Sequence, residues 1–121
     1  MEPLTVVLGA SPQKERYSYL AFQTLSSQGR PFALVNPRYE EIEGHRVLPD
    51  LAAVDGPVAT VSMYLAPDRQ AAVEAALLTL KPGRVIFNPG AENPELQQKL
   101  ESAGIPCLEA CTLVLLWTGQ Y

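Results

Sequence analysis

Short apolar runs alternate with polar loops and helix-length amphipathic stretches along most of the chain. The first run, Leu4-Thr5-Val6-Val7-Leu8, is apolar at nearly every position rather than at alternate ones. Continuous apolarity of this kind suits a strand covered on both faces, as in a parallel sheet. It ends at Gly9. Tyr17 to Gln28 then reads as a helix, with Tyr17, Leu20, Ala21, Thr24 and Leu25 on one stripe and Gly29 as its stop. Pro31 to Asn36 is a second strand, closed by Pro37, and the next twenty or so residues read as irregular. They hold a turn at Gly44-His45 and the start of a short helix near Pro49-Asp50.

Val58 to Met63 is a third strand. Pro67-Asp68 opens a helix running to about Leu80, with a stripe of Ala72, Ala75, Ala76 and Leu80, and Pro82-Gly83 ends it. Arg84 to Phe87 is a fourth strand, Pro94 to Ala103 a helix stopped by Gly104, and Ile105 to Leu108 a fifth strand. The apolar tail Thr112 to Trp117 is expected to fold back onto the core.

Strand and helix alternate with connections too long for hairpins, which predicts a Rossmann-like, doubly wound parallel α/β sheet with helices on both faces. The expected strand order is 3-2-1-4-5, with the switch point between strands one and four. Ligands bind such sheets at the carboxyl ends of the strands, close to that switch. With 121 residues and no repeat or linker, residues 1–121 are expected to form a single domain.

Composition narrows the function. A net charge of −4 predicts no general attraction to nucleic acid or to an anionic membrane. The longest apolar run, Leu113 to Trp117, is far too short to cross a bilayer, and the N-terminus shows no secretory pattern, so a cytoplasmic location is expected. Cys107 and Cys111 are spaced neither as a redox pair nor as a zinc half-site, and the lone His45 is remote from both; free, half-buried thiols and no metal are expected.

Chemistry concentrates in the loops that follow the strands. In Gly9-Ala10-Ser11-Pro12-Gln13-Lys14-Glu15-Arg16, a glycine permits a tight turn, and backbone N–H groups with the Ser11 hydroxyl can face a phosphate. On that reading, a side chain at Gly9 blocks the ligand and leaves the fold intact. The dinucleotide fingerprint is not met: Ser11 and Lys14 replace its second and third glycines, and Asn36-Pro37-Arg38 stands where an acidic residue would grip a ribose. A 2′-phosphate ligand such as NADP remains compatible with Arg38.

Gly9-Ala10-Ser11, then Val35-Asn36-Pro37, then Ile42-x-Gly44, then Leu48-Pro49-Asp50-Leu51 follow one layout, with later landmarks at Asn88 to Ala91 and Cys111. The chain resembles the small stand-alone CoA-binding proteins, whose domain is similar to the N-terminal CoA-binding domain of the succinyl-CoA synthetase α subunit. The resemblance implies CoA phosphates at Gly9, Ala10 and Ser11, with Asn36, Pro37 and Arg38 lining the nucleotide end. It also implies that Met63, Tyr64 and the segment to Pro67 flank the adenine, and that Asn88, Pro89 and Gly90 border the pantetheine path. The chain departs from such relatives at Ile86-Phe87-Asn88 and at Glu109-Ala110.

Lys14, Arg16 and Arg38 are the cations clustered at these loops, and Tyr17 and Tyr39 suit either stacking on a ligand or packing. His45 reads as a solvated turn residue. Neither a nucleophile–histidine–carboxylate set nor a pair of carboxylates stands at a strand end, so no catalytic residue is assigned. Three readings follow: non-catalytic binding of coenzyme A or a short acyl-CoA, an NADP-type oxidoreductase, or a regulatory domain with a degenerate nucleotide pocket. In the last, Leu113 to Trp117 offers a surface for homo-oligomerisation.

Overall fold

The computed structural model describes residues 3–121, and the apolar runs pair there into one sheet. The first run is β1 (Thr5–Leu8), buried at every position. The helix α1 (Tyr17–Ser27) leads to β2 (Phe32–Val35). Two strands follow in the stretch that reads as irregular: β3 (Glu41–Ile42) and β4 (His45–Leu48). After β5 (Thr60–Met63), a 3-10 run over Pro67–Val73 passes into α2 (Glu74–Leu80). The chain closes with β6 (Arg84–Phe87), α3 (Pro94–Ser102), β7 (Cys107–Glu109) and α4 (Thr112–Trp117).

The sheet runs β3-β4-β2-β1-β5-β6-β7, parallel throughout except for the antiparallel β3–β4 pair. The doubly wound α/β class is therefore as expected, while the strand order needs correction. The strand beyond β2 is His45–Leu48, and the run ending at Met63 instead crosses over to pair with β1. The switch point thus lies between β1 and β5. The sequence hid β4 because the segment is short and alternating: Ile42 and Val47 are buried while Glu41 and Arg46 are exposed. Its turn is nonetheless specific. Glu43 (φ 52°) and Gly44 (φ 80°) both adopt left-handed angles, the two-residue hairpin geometry that matches strand twist.

Each face of the sheet has its own core. Val6, Leu8, Val61, Met63, Val85 and Phe87 pack with Leu77 of α2 and with Leu96 and Leu100 of α3. Val7 and Leu34 pack on the other face with Tyr19, Phe22 and Leu25 of α1 and Leu116 of α4. The tail folds back as a helix against α1, as expected. Two helix stripes shift: α1 buries Ser18, Tyr19, Ala21, Phe22 and Leu25 and exposes Tyr17. Leu77, not the alanines, is the fully buried residue of α2, because the inward-facing series is Gln70, Val73, Leu77 and Leu80.

His45 is not a solvated turn residue. Its ring meets Phe32 edge-on at 5.1 Å and Phe22 at 5.9 Å, closing the aromatic cluster at the amino end of β2. An edge-to-face contact contributes about 0.5–1.5 kcal/mol beyond the area it buries. His45→Ala is therefore expected to lower unfolding free energy by about 1–2 kcal/mol in urea melts. Ligand affinity at the opposite edge of the sheet should stay within about twofold in calorimetry.

Candidate functional site at the carboxyl edge

Register makes the rim flush. Val35, Leu8, Met63 and Phe87 lie in one row across β2, β1, β5 and β6. The next residue of each strand, Asn36, Gly9, Tyr64 and Asn88, therefore emerges at the same level. Gly9 makes the turn with φ at 97°, and a Cβ there would sit 3.2 Å from Leu65 Cδ2 and 3.4 Å from the Tyr64 carbonyl carbon. Both Gly9 N–H and Ala10 N–H donate to the Val35 carbonyl, at 3.0 and 3.3 Å. Those amides are committed to holding the loop against β2.

The donors left for a ligand lie further along the same loop. Ser11 Oγ accepts from Gln13 N–H at 3.1 Å, which leaves the hydroxyl proton free to donate. Arg16 stands at the N-cap of α1 in extended conformation and makes no side-chain bond to the helix amides, and the first turn carries no acidic residue. The N–H groups of Tyr17, Ser18 and Tyr19 have no carbonyl four residues back within the helix, and this positive end of α1 is the one that follows β1 at the switch point. Lys14 and Arg16 are exposed on the loop, and Arg16 Nε is steadied by Gln13 Oε1 at 2.9 Å.

Asn36 ties two loops together. Its Nδ2 donates to the Ala10 carbonyl at 2.8 Å, while its Oδ1 accepts from Arg38 N–H at 2.9 Å, an Asx turn that leaves the Arg38 side chain exposed. On the other side of β1, Asn88 is buried and fully used. Its Nδ2 donates to Ser62 Oγ (3.0 Å) and the Met63 carbonyl (2.9 Å), and its Oδ1 accepts from Thr112 N–H (2.8 Å). Ser62 and Thr112 hydroxyls bond to each other at 2.7 Å. The Tyr64 hydroxyl lies beside that pair without a hydrogen bond of its own, and burial pushes its pKa up to about 12.

The CoA binding domain family matches residues 4–117. The chain belongs to that family. A crystal structure described as an uncharacterized protein superposes on this CoA-binding domain with a TM-score of 0.92 at 40% identity, over 100% of this chain and 99% of that one. A Thermus thermophilus protein superposes at 0.89 and 27% identity, over 99% and 91%. An acetyl-coenzyme A synthetase from Candidatus Korarchaeum cryptofilum, solved with phosphate and ADP, shares the fold at 0.75 and 20% identity. There the match covers 88% of this chain and 25% of the synthetase. No curated protein matches the chain.

The CoA-binding domain brings the residues singled out in its sequence to one edge, but not all with a side chain to offer. Ser11, Lys14, Arg16, Pro37, Arg38, Pro67, Pro89 and Gly90 are exposed or half-exposed there. Gly9, Ala10, Asn36 and Asn88 instead build the rim, because their polar groups are spent within it. Met63 is fully buried and faces the core, and Tyr64 turns its hydroxyl inward. The Gly90 N–H is already taken by Glu92 Oε1 at 2.8 Å.

One supporting residue is absent from the sequence reading. Gln70 is fully buried and donates to the carbonyls of Leu65 (2.9 Å) and Ala91 (2.7 Å), clamping the loop after β5 to the loop after β6. Its spacing from Val73 and Leu77 is the signal that places it inward.

Among the described residues no group of three or more histidine, cysteine or acidic side chains is placed to hold a metal. Both cysteines are free and half-buried. Burial, with Glu101 nearby, pushes the Cys107 thiol up to about 11, away from the lowered values that mark a reactive thiolate. No helix among the described residues is long and apolar enough to cross a membrane.

Proposed function

We propose that this CoA-binding domain, spanning residues 1–121, holds coenzyme A or a short acyl-CoA at the carboxyl edge of its sheet and acts as a binding module without chemistry of its own. The observation that carries the reading is the start of α1 at the switch point, which no side chain caps, with Lys14 and Arg16 on the loop before it and Arg38 on the loop beside it. Unpartnered helix N–H groups and a local cluster of cations suit a pyrophosphate on an otherwise acidic chain. The Ser11 N–H and hydroxyl, together with the Tyr17 to Tyr19 amides, are the donors assigned to it. Gly9 and Ala10 support the loop rather than touch the phosphates through their amides.

Arg38 is assigned the 3′-phosphate that distinguishes CoA from dephospho-CoA. The Asx turn at Asn36 carries the chain across the site, and the exposed guanidinium can meet a phosphate with two parallel hydrogen bonds. Tyr64 to Pro67 walls the adenine side, and Pro89 and Gly90 border the pantetheine arm. A contact this exposed contributes about 1–2 kcal/mol, or roughly five- to thirtyfold in affinity.

Calorimetry with two ligands against wild type and Arg38→Ala, at fixed salt, tests the reading. CoA should bind more tightly than dephospho-CoA by that factor, and Arg38→Ala should remove most of the difference. A wild type that does not distinguish the two, or that binds NADP more tightly than either, overturns it.

A further inference from the structure

At the opposite, amino edge of the sheet lies an open cleft of about 560 Å³, remote from the loops that carry the CoA reading. The four-residue β1 alone separates the two edges by roughly 10 Å at the rise of an extended strand. Two arginines meet in this cleft around one aromatic ring. The Arg84 guanidinium carbon stands 4.6 Å from the centre of the Tyr121 ring, and that of Arg30 stands 5.2 Å from it. The ring is anchored through its hydroxyl, which hydrogen-bonds Thr5 Oγ1 at the start of β1.

Each guanidinium is held by one nitrogen only. Arg84 Nε donates to Thr60 Oγ1 at 2.9 Å, and Arg30 Nε donates to Gln28 Oε1 at 2.9 Å. No protein hydrogen bond engages the terminal nitrogens of either side chain among the described residues. No acidic side chain lines the cleft among the described residues, and the salt bridge seen among them, Lys99 to Glu74, lies outside it. On a chain of net charge −4, two arginines gathered with no acidic side chain of the described residues lining their cleft are a local reversal of sign. Like charges brought together raise the free energy of the site until an anion compensates them.

Most backbone amides at this edge are already committed. Those of Thr5, Gly29, Arg30, Gly83 and Arg84 all donate to protein carbonyls. Recognition here is therefore by guanidinium forks, whose planar paired donors match carboxylate and phosphate oxygens alike, and two such cations together favour a doubly charged phosphate over a monovalent carboxylate.

We infer that the amino edge is a second anion site, taking a small phosphate-bearing molecule between Arg30 and Arg84. This inference does not depend on CoA binding at the other edge. It is tested on the full chain by following the arginine Nε–H resonances in NMR during titration with inorganic phosphate. A second arm uses methyl phosphate, which separates a free from an esterified phosphate, and a third uses acetate.

The resonances of Arg30 and Arg84 should shift saturably, with a midpoint in the low millimolar range, while those of the exposed Arg46 and Arg69 do not. The paired change Arg30→Gln with Arg84→Gln should raise the midpoint at least about tenfold. Should that variant fail to fold, the wild-type contrast between the two pairs of arginines decides alone. Shifts at Arg30 and Arg84 no larger than at Arg46 and Arg69 overturn the inference. So does acetate binding as tightly as phosphate, or loss of the shifts on adding one equivalent of CoA.

Discussion

Asn88→Ala is expected to melt about 10–20 °C below wild type. The side chain is buried and closes three bonds, to Ser62 Oγ, the Met63 carbonyl and Thr112 N–H. Truncation takes from those partners the groups that satisfy them inside the core. A buried polar group stranded in this way costs about 1–3 kcal/mol. Thr112 N–H is left with no partner, while Ser62 Oγ keeps the Thr112 hydroxyl and the Met63 carbonyl keeps Asn88 N–H, so with the lost packing of the amide the total loss is about 3–5 kcal/mol. For a domain of this size that is a large share of the whole stability. Ser62→Ala removes the bonds to Asn88 and Thr112 but leaves the Asn88 contacts to Met63 and Thr112 in place. It should lose only about 1–2 kcal/mol. Thermal and urea unfolding of the two variants side by side checks the ranking, and equal losses would contradict the central place given to Asn88.

Gly9→Val should both destabilise the fold, by about 2–4 kcal/mol, and weaken CoA binding at least about a hundredfold. From sequence, a side chain at Gly9 leaves the fold untouched, and the structure reverses that expectation. A φ of 97° is a conformation that a β-branched residue avoids, and the added Cβ meets Leu65 and the Tyr64 backbone at 3.2–3.4 Å. Relief of either contact pulls the loop after β1 away from the loop after β5, and with it the amides at the start of α1. Gly9→Ala has the same backbone penalty with less bulk and should fall between. Urea melts and calorimetry, the latter under conditions where the variant is folded, separate the two effects; an unchanged melt would contradict the strain.

The sheet was legible because its central strands are continuous apolar runs, a pattern that two-sided burial imposes on β1, β5 and β6. Strand order was less legible. It turned on β4, a four-residue edge-side strand in which His45 and Arg46 look like solvated loop. His45 is in fact covered by Phe22 and Phe32, which come from α1 and β2, and a sequence window cannot see partners so far away. The location of the rim was legible too, since it follows from where each strand stops. What each rim residue does was not. Asn36 and Asn88 look like ligand-facing amides in a sequence, yet both spend their hydrogen bonds on the frame, a distinction that only burial and partner geometry draw.

The most direct test of the account is an NMR map of backbone amides on addition of CoA to the full chain. CoA held at the carboxyl edge should shift Ser11, Tyr17, Ser18, Tyr19 and Arg38 together and saturably, and should leave Thr5, Arg30 and Arg84 in place. No saturable shift at the first group, or the same shifts reached at lower concentrations of NADP, would contradict it.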